Sequence, residues 1–328
     1  MTVGDGSASV FAYSTTPVQA AWKRYIREIS VAGAYLLLLL ILAIARPRYY
    51  QAQFAASWVD MAPVLVAAVG MTLVIVAREI DISIGSMFSI CGVVAGLLAQ
   101  DGMPMPLVAV VTILCGAAMG VFNGVFVAFM GLPSIVVTLA TMVMWQQGLK
   151  WKRQGAFVRD LPDRFQWFGQ SQLAGQLMLV VVALAILAAF AWGMRWLVAG
   201  RTVYAVGSDA EAARLAGVRP RRVVFNVFVL MGALTGLAAL LGAVRFPIVD
   251  PNVGTGLELK VIAAVVVGGV AISGGRGTML GTLIGVALLG TIGSALVFLE
   301  VNSAWERAIQ GGIILVAVAT DGLVRRTG

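Results

Sequence analysis

Apolar runs separated by short polar connections fill most of this chain. About 20 apolar residues make one bilayer crossing. Ten runs are predicted as crossings, near residues 29–45, 58–77, 82–99, 107–130, 134–149, 173–198, 223–244, 257–272, 278–299 and 304–320. Several are short or hold Gly and polar residues, so the pattern also fits eight or nine, with the third and eighth the first to drop. The predicted fold is all-α and polytopic. Residues 1–28 are expected to form a tail, 29–322 the membrane domain with a polar loop at 199–222, and 323–328 a second tail. Lys23, Arg24 and Arg27 precede the first run, and Ala43-Ile44-Ala45 resembles a signal-peptide cleavage site. Pro47 just beyond it and the spans that follow favour an uncleaved first helix.

Composition agrees with this class. Hydrophobic residues make up 60% and charged residues 12%, about half the charge of a soluble domain. The 38 glycines suit helices that pack closely through small residues. The net charge of +8 sits mainly at the ends of apolar runs, so it points to topology and lipid contact and not to nucleic acid. The basic residues between Arg201 and Arg222, with those of both termini, place these parts on the cytoplasmic side. The loop 150–172 weakens the bias by putting basic residues outside. The chain has no His, which removes His-based metal sites and Ser-His-Asp catalysis; no metal or cofactor is expected. Cys91 and Cys115 lie within apolar runs and read as small core residues.

Polar residues inside or beside the spans carry the remaining information. The loop at 200–218 reads as a short helix facing water. Ser208 and Glu211 have the spacing of a capping box, and Gly217 can close the C-terminal end. Two turns are unstable alone and need something to dock against. Ala210, Ala213 and Leu215 would be its apolar contacts, with Asp209, Glu211 and Arg214 at the rim. Arg78-Glu79-Ile80-Asp81 sets three charges between two apolar runs. Buried charge is expensive in hydrocarbon. The segment is therefore either a break beside a permeation path or a loop with a local ion pair and Asp81 capping the next helix. Asn123-Gly124 would bond between helices or allow close packing, and Ser134 would cap the fifth run. Glu258 suits a first helical turn, or a place near the substrate's route. Ser273-Gly-Gly-Arg-Gly-Thr278 lacks the Lys-Ser/Thr ending of a P-loop and reads as a tight turn. Trp305-Glu306-Arg307 reads as an interfacial anchor.

These segments together resemble the permease subunit of bacterial ATP-binding-cassette importers for ribose, xylose, rhamnose and similar carbohydrates. The carriers are Ile80-Asp-Ile-Ser-Ile-Gly85, Asn123-Gly124, Pro133-Ser-Ile-Val-Val-Thr-Leu139 and the stretches 200–218 and 256–278, over about residues 30–325. Most of that family has two glycines where this chain has Arg78-Glu79; a charge there, and the stretch 254–260, resemble the rhamnose and autoinducer-2 branch. The resemblance implies an inner-membrane translocation subunit without an ATPase site of its own. It implies a second permease copy or relative, cytoplasmic ATPase subunits and a periplasmic sugar-binding protein as partners. It also implies that Ser208, Asp209, Glu211, Arg214, Leu215 and Gly217 belong to the element that couples to the ATPase. Asp81, Ser83, Asn123 and Glu258 are the candidates for the translocation path. A secondary transporter would be expected to carry mid-membrane carboxylates or His. A membrane enzyme would need a nucleophile or an acid–base pair. Neither pattern is evident.

Overall fold

The computed structural model describes residues 17–302, 304–312 and 314–315. Among them, five helices are long and apolar enough to cross a membrane: α3 (Phe54–Val76), α5 (Met105–Gly124, continued by one π-turn at Val125–Phe129), α7 (Gln172–Trp196), α10 (Pro220–Ala243) and α12 (Met279–Phe298). The apolar stretch Ile29–Ala45 of α1 (Pro17–Ala45) and α4 (Ile84–Gln100) are shorter. The remaining helices are α2 (Arg48–Ala52), α6 (Ser134–Arg153), α8 (Val198–Ser208), α9 (Ala210–Leu215) and α11 (Leu257–Val267). Most expected spans fall on these helices. The eighth does not reach its expected length. α11 has 11 residues, only about 16 Å at ~1.5 Å per residue, because Gly268 and Gly269 end it before residue 272. α1 starts at Pro17, inside the segment expected to be a loose tail. Residues 1–16, the tail 323–328 and the outer part of the tenth run lie outside the described residues; 304–312 are helical.

The helices leave their connections in two groups. At one end, the end that carries α9, Gly275 N–H donates to Val76 O at 2.9 Å and Ile80 N–H donates to Ser134 Oγ at 3.2 Å. At the opposite end, Arg164 donates to Gly102 O at 2.9 Å, Trp167 N–H to Val244 O at 2.7 Å, and Val158 and Val249 exchange a pair of 3.0 Å backbone bonds. The loops joined at each end are those that alternate crossings would bring together.

α3 and α10 pack against each other at the centre and run in opposite directions. α10 also packs on α5 and α4, while α3 packs on α12 and α11. Each central helix ends in a non-helical stretch, 77–83 after α3 and 244–256 after α10. A shorter helix and then a long one follow in each case. The two halves thus form an inverted repeat of long helix, break, shorter helix and long helix.

Small residues set the closest approach. On α5, Gly116 and Gly120 lie against Gly232 O and Phe228 O of α10, and a Cβ at either position would overlap those carbonyl oxygens. Gly124 lies against the ring and carbonyl of Phe225 and the Cβ of Phe228. This four-residue spacing lets two backbones touch where lipid supplies no hydrophobic drive. Gly120→Val should separate α5 from α10 at about 1–3 kcal/mol or more. The apparent unfolding temperature in detergent should drop by about 2–4 °C per kcal/mol. An unchanged melting curve would show that the seam is not under this constraint.

Candidate translocation and coupling site

The break after α3 is satisfied by side chains. In hydrocarbon no water is at hand to take up freed amides, so each needs an internal partner. Glu79 N–H still reaches Val74 O at 3.0 Å. Ile80 N–H goes to Ser134 Oγ at 3.2 Å and Ile82 N–H to Thr138 Oγ1 at 3.1 Å, both from α6. Ser83 N–H and Oγ–H both donate to Asp81 Oδ1, at 2.9 and 2.6 Å. Asn123 Nδ2 of α5 donates to Ser83 Oγ at 2.9 Å. Asp81, Ser83 and Asn123 are fully buried, and Asp81 Oδ2 and Asn123 Oδ1 have no hydrogen-bond partner. The stretch 77–83 is non-helical, as both readings of it require. The Asp81 carboxylate turns to Ser83 and not to Arg78, and Ser83 is the N-cap of α4. Asn123 bonds across segments while Gly124 does the close packing. Ser134 is the first residue of α6 and not its cap; Pro133 holds that place, and the Ser134 hydroxyl serves the break.

Glu258 joins this cluster from the other half. The stretch 244–256 lies along α4: Val249 packs on Gly92 and Gly96, and Gly254 N–H donates to Ser89 Oγ at 3.0 Å. Gly256, at φ +86°, turns the chain into α11, and Glu258 in its first turn reaches the first turn of α4, where Gly85 has no side chain to obstruct it. The N-termini of α4 and α11 thus meet, each with its positive dipole end toward the carboxylates Asp81 and Glu258. All four path candidates lie around this junction. Lys260 Nζ pairs with Glu306 Oε1 at 2.9 Å. The Trp305-Glu306-Arg307 triplet therefore does more than anchor: Trp305 is exposed, and Glu306 ties the last described helix to α11.

At the α9 end, the cap is Asp209 and not Ser208. Asp209 Oδ1 accepts from Glu211 N–H at 2.9 Å and Ala212 N–H at 3.0 Å, while Ser208 is the last residue of α8. Glu211, released from capping, pairs with Arg214, whose Nε lies 3.0 Å from Glu211 Oε2. That hydrogen bond raises the Arg214 guanidinium still further above its usual value. Gly217, at φ +84°, closes the helix as expected: its N–H donates to Arg214 O, and Val218 N–H to Ala213 O, both at 3.0 Å. This is the paired 5→2 and 6→1 bonding of a Schellman end. Ala213 faces the chain's own core, Ala210 is exposed, and Leu215 is 80% exposed. The outward face of α9 is therefore Leu215 with the Glu211–Arg214 pair.

Sequence reasoning missed Ser134 and Thr138 as partners of the break, because a hydroxyl in a helical turn bonds equally well to its own backbone. It also missed the Lys260–Glu306 pair, whose residues are far apart in sequence. Ser83→Ala would leave Asp81 Oδ1 with one donor and Asn123 Nδ2 with none. Losing one buried partner costs about 1–3 kcal/mol. Thermal unfolding of the purified chain should register that loss. Equal stability of Ser83→Ala and wild type would show that the cluster does not hold the break.

The whole chain was compared with known proteins. The family model described as "Branched-chain amino acid transport system / permease component" matches residues 54–318. Autoinducer 2 import system permease protein LsrC of Escherichia coli O157:H7 is 35% identical over 308 residues, covering 91% of this chain and 88% of that protein. The LsrC proteins of Shigella flexneri and Photorhabdus luminescens are 34% and 31% identical over 308 and 306 residues, each over 91% of this chain and over 88% and 91% of their own lengths. No solved structure matches. The broken and inverted helices, the exposed capped helix and this likeness over nearly the whole length agree, and the chain belongs to the family of multi-pass membrane permease components of the branched-chain amino acid transport system type.

Proposed function

We propose that this chain is the translocation subunit of an ATP-binding-cassette importer of the bacterial inner membrane, and that it moves a small carbohydrate. Autoinducer 2, for whose import the relatives are named, is the first candidate and rhamnose the second. The observation that carries the reading is α9: six residues, capped at both ends and held outside the bundle with Leu215 bare. A helix this short gains its stability from docking. Ser208, Asp209, Glu211, Arg214, Leu215 and Gly217 form or frame the face that meets a cytoplasmic ATPase. A second permease copy or relative and a periplasmic sugar-binding protein complete the assembly. The solute passes at the α4–α11 junction, where Asp81, Ser83, Asn123 and Glu258 offer carboxylates, a hydroxyl and an amide to sugar hydroxyls.

The orientation follows: both termini and the loop 199–222 face the cytoplasm, as their basic residues favour. A cysteine at exposed Ser208, in a chain lacking Cys91 and Cys115, should resist an impermeant maleimide added to intact cells and react after permeabilisation. Ready labelling from outside would reverse the orientation and remove the coupling role.

The decisive experiment is reconstitution. In vesicles the chain alone should accumulate no sugar under a proton or sodium gradient. With its ATPase and a loaded binding protein it should transport when ATP is supplied. A panel of autoinducer 2, rhamnose and pentoses then identifies the solute. Exchanging the charges (Glu211→Lys with Arg214→Glu) should leave the chain inserted, since both side chains are well exposed, and should depress ATP-driven uptake. Accumulation driven by an ion gradient in the lone chain would make it a secondary transporter instead.

A further inference from the structure

Three backbone segments from distant parts of the sequence interlock directly behind α9. They are the end of α3 at Val76–Arg78, the end of α8 at Gly207–Ser208, and the glycine turn at Gly274–Gly275. Gly207 lies so close to the Val76 carbonyl that a Cβ there would overlap its oxygen. That same oxygen accepts from Gly275 N–H at 2.9 Å. A Cβ on Gly274 would meet Gly207 O and Arg78 Cβ, each at 2.7 Å; one on Gly275 would meet Ser208 Cα at 2.8 Å and Ser208 N at 2.9 Å. Gly274 and Gly275 sit at φ +84° and +70°, and Arg78 at +68°, so the segments take left-handed turns to fit together. Tyr204 Oη–H donates to Gly277 O at 2.8 Å, fastening α8 to the far side of the turn. Ala271 N–H to Arg276 O (3.0 Å) and Gly274 N–H to Ala271 O (2.9 Å) close the turn on itself.

Resting on the proposed coupling role of α9, we propose that Gly207, Gly274 and Gly275 are positioning residues that make this junction a rigid joint. Gly207 touches the backbone of Val76 and Gly275, and Gly274 the backbone of Gly207, so at these contacts no side chain can change rotamer and absorb a push. A displacement of α9 must pass on through two arms. The first runs from Val76 through Arg78 into the break, where Ile80 and Ile82 are bonded to Ser134 and Thr138. The second runs from the glycine turn up α11 to Glu258, which abuts Gly85. Both arms end at the place where the first turns of α4 and α11 meet. The joint therefore moves the two sides of the α4–α11 junction from one input. The turn that resembles a phosphate loop has its glycines for this contact.

Two variants test the joint in the full assembly with its ATPase and binding protein. Arg78 and Ser208 are both exposed, and they lie against successive glycines of the turn, Arg78 against Gly274 and Ser208 against Gly275. Arg78→Cys with Ser208→Cys, in a chain lacking Cys91 and Cys115, is cross-linked with a short bifunctional thiosulfonate that dithiothreitol cleaves. A joint that stays shut throughout the cycle keeps uptake of the cross-linked chain within about twofold of the same double-cysteine chain carrying a monofunctional label at both positions. Uptake lost on cross-linking and regained on cleavage means that the contact opens, and overturns the proposal. Gly207→Ala wedges α8 off α3. The ATPase should still co-purify and hydrolyse ATP while uptake falls roughly tenfold or more, because a displacement near 1 Å is enough to spoil a positioned site. Hydrolysis without transport is a readout that simple instability would not give. Unchanged uptake in Gly207→Ala overturns the proposal, and if that variant fails to insert, the cross-link decides alone. A wild-type assembly that neither recruits the ATPase nor transports on ATP would fail at the level of the coupling role itself, which the co-purification separates from a failure of the joint.

Discussion

A chain that breaks its helices within a membrane must supply partners for every amide it frees. That constraint organises the molecule. At the first break the partners are the hydroxyls of Ser134 and Thr138 and the carboxylate of Asp81. At the second they are Ser89 and the backbone of Val158. An unpaired amide in hydrocarbon costs several kcal/mol, more than any single contact of these segments returns. The segments are therefore held where their partners are. α6 must start beside the first break, and α4 must run beside the second. Once they do, the N-termini of α4 and α11 are brought together, with Asp81, Ser83 and Glu258 beside them.

The same constraint explains the distribution of glycine. Helices that pass through lipid gain little from burying apolar side chains against each other, so they gain by approaching closely. Gly116 and Gly120 of α5 and Gly232 of α10 do this at the centre of the bundle. Gly85 and Gly254 do it at the junction, and Gly207 and Gly275 at the joint. These three places differ in what the contact achieves. The first is a static seam. The second makes room for a carboxylate. The third transmits.

Much of this was legible in the sequence, and what was not had a physical reason. The spans were readable because twenty apolar residues in a row have one use. The exposed helix at 208–217 was readable through Gly217 and its charges, but its cap was placed one residue early. Ser208 and Asp209 are both good caps, and only the backbone decides: Asp209 is extended at φ −157°, whereas Ser208 ends the preceding helix. The path candidates Asp81, Ser83, Asn123 and Glu258 stood out because polar groups in apolar runs need a reason. Their convergence was not legible, since Glu258 reaches Gly85 from far along the chain. The inverted repeat was hidden as well. Its two breaks differ in length, 77–83 against 244–256, and use unlike residues to satisfy the backbone. The eighth run looked long enough because Val270, Ala271 and Ile272 continue its apolar character. Two glycines stop the helix before them, and apolar character alone does not register that.

An inverted repeat also bears on how such a chain can change state. α3 and α10 cross at the centre in opposite senses, and each leads into its own break at the end of the bundle where the other starts. A tilt of one half against the other would move the two sides of the α4–α11 junction in opposite senses. The halves are not equivalent in their ties. The first break is bonded to α6 by side-chain hydroxyls, and the second is held by backbone pairing to 158 and by Ser89. Only the first connects directly to the α9 end. A push from that end reaches the first break through Val76 and the second half through α11, by paths of different stiffness: a few residues of non-helical chain in one case and a helix in the other. Unequal stiffness is what turns one displacement into relative motion at the junction. Two arms of equal stiffness would move both sides together and leave the path as it was.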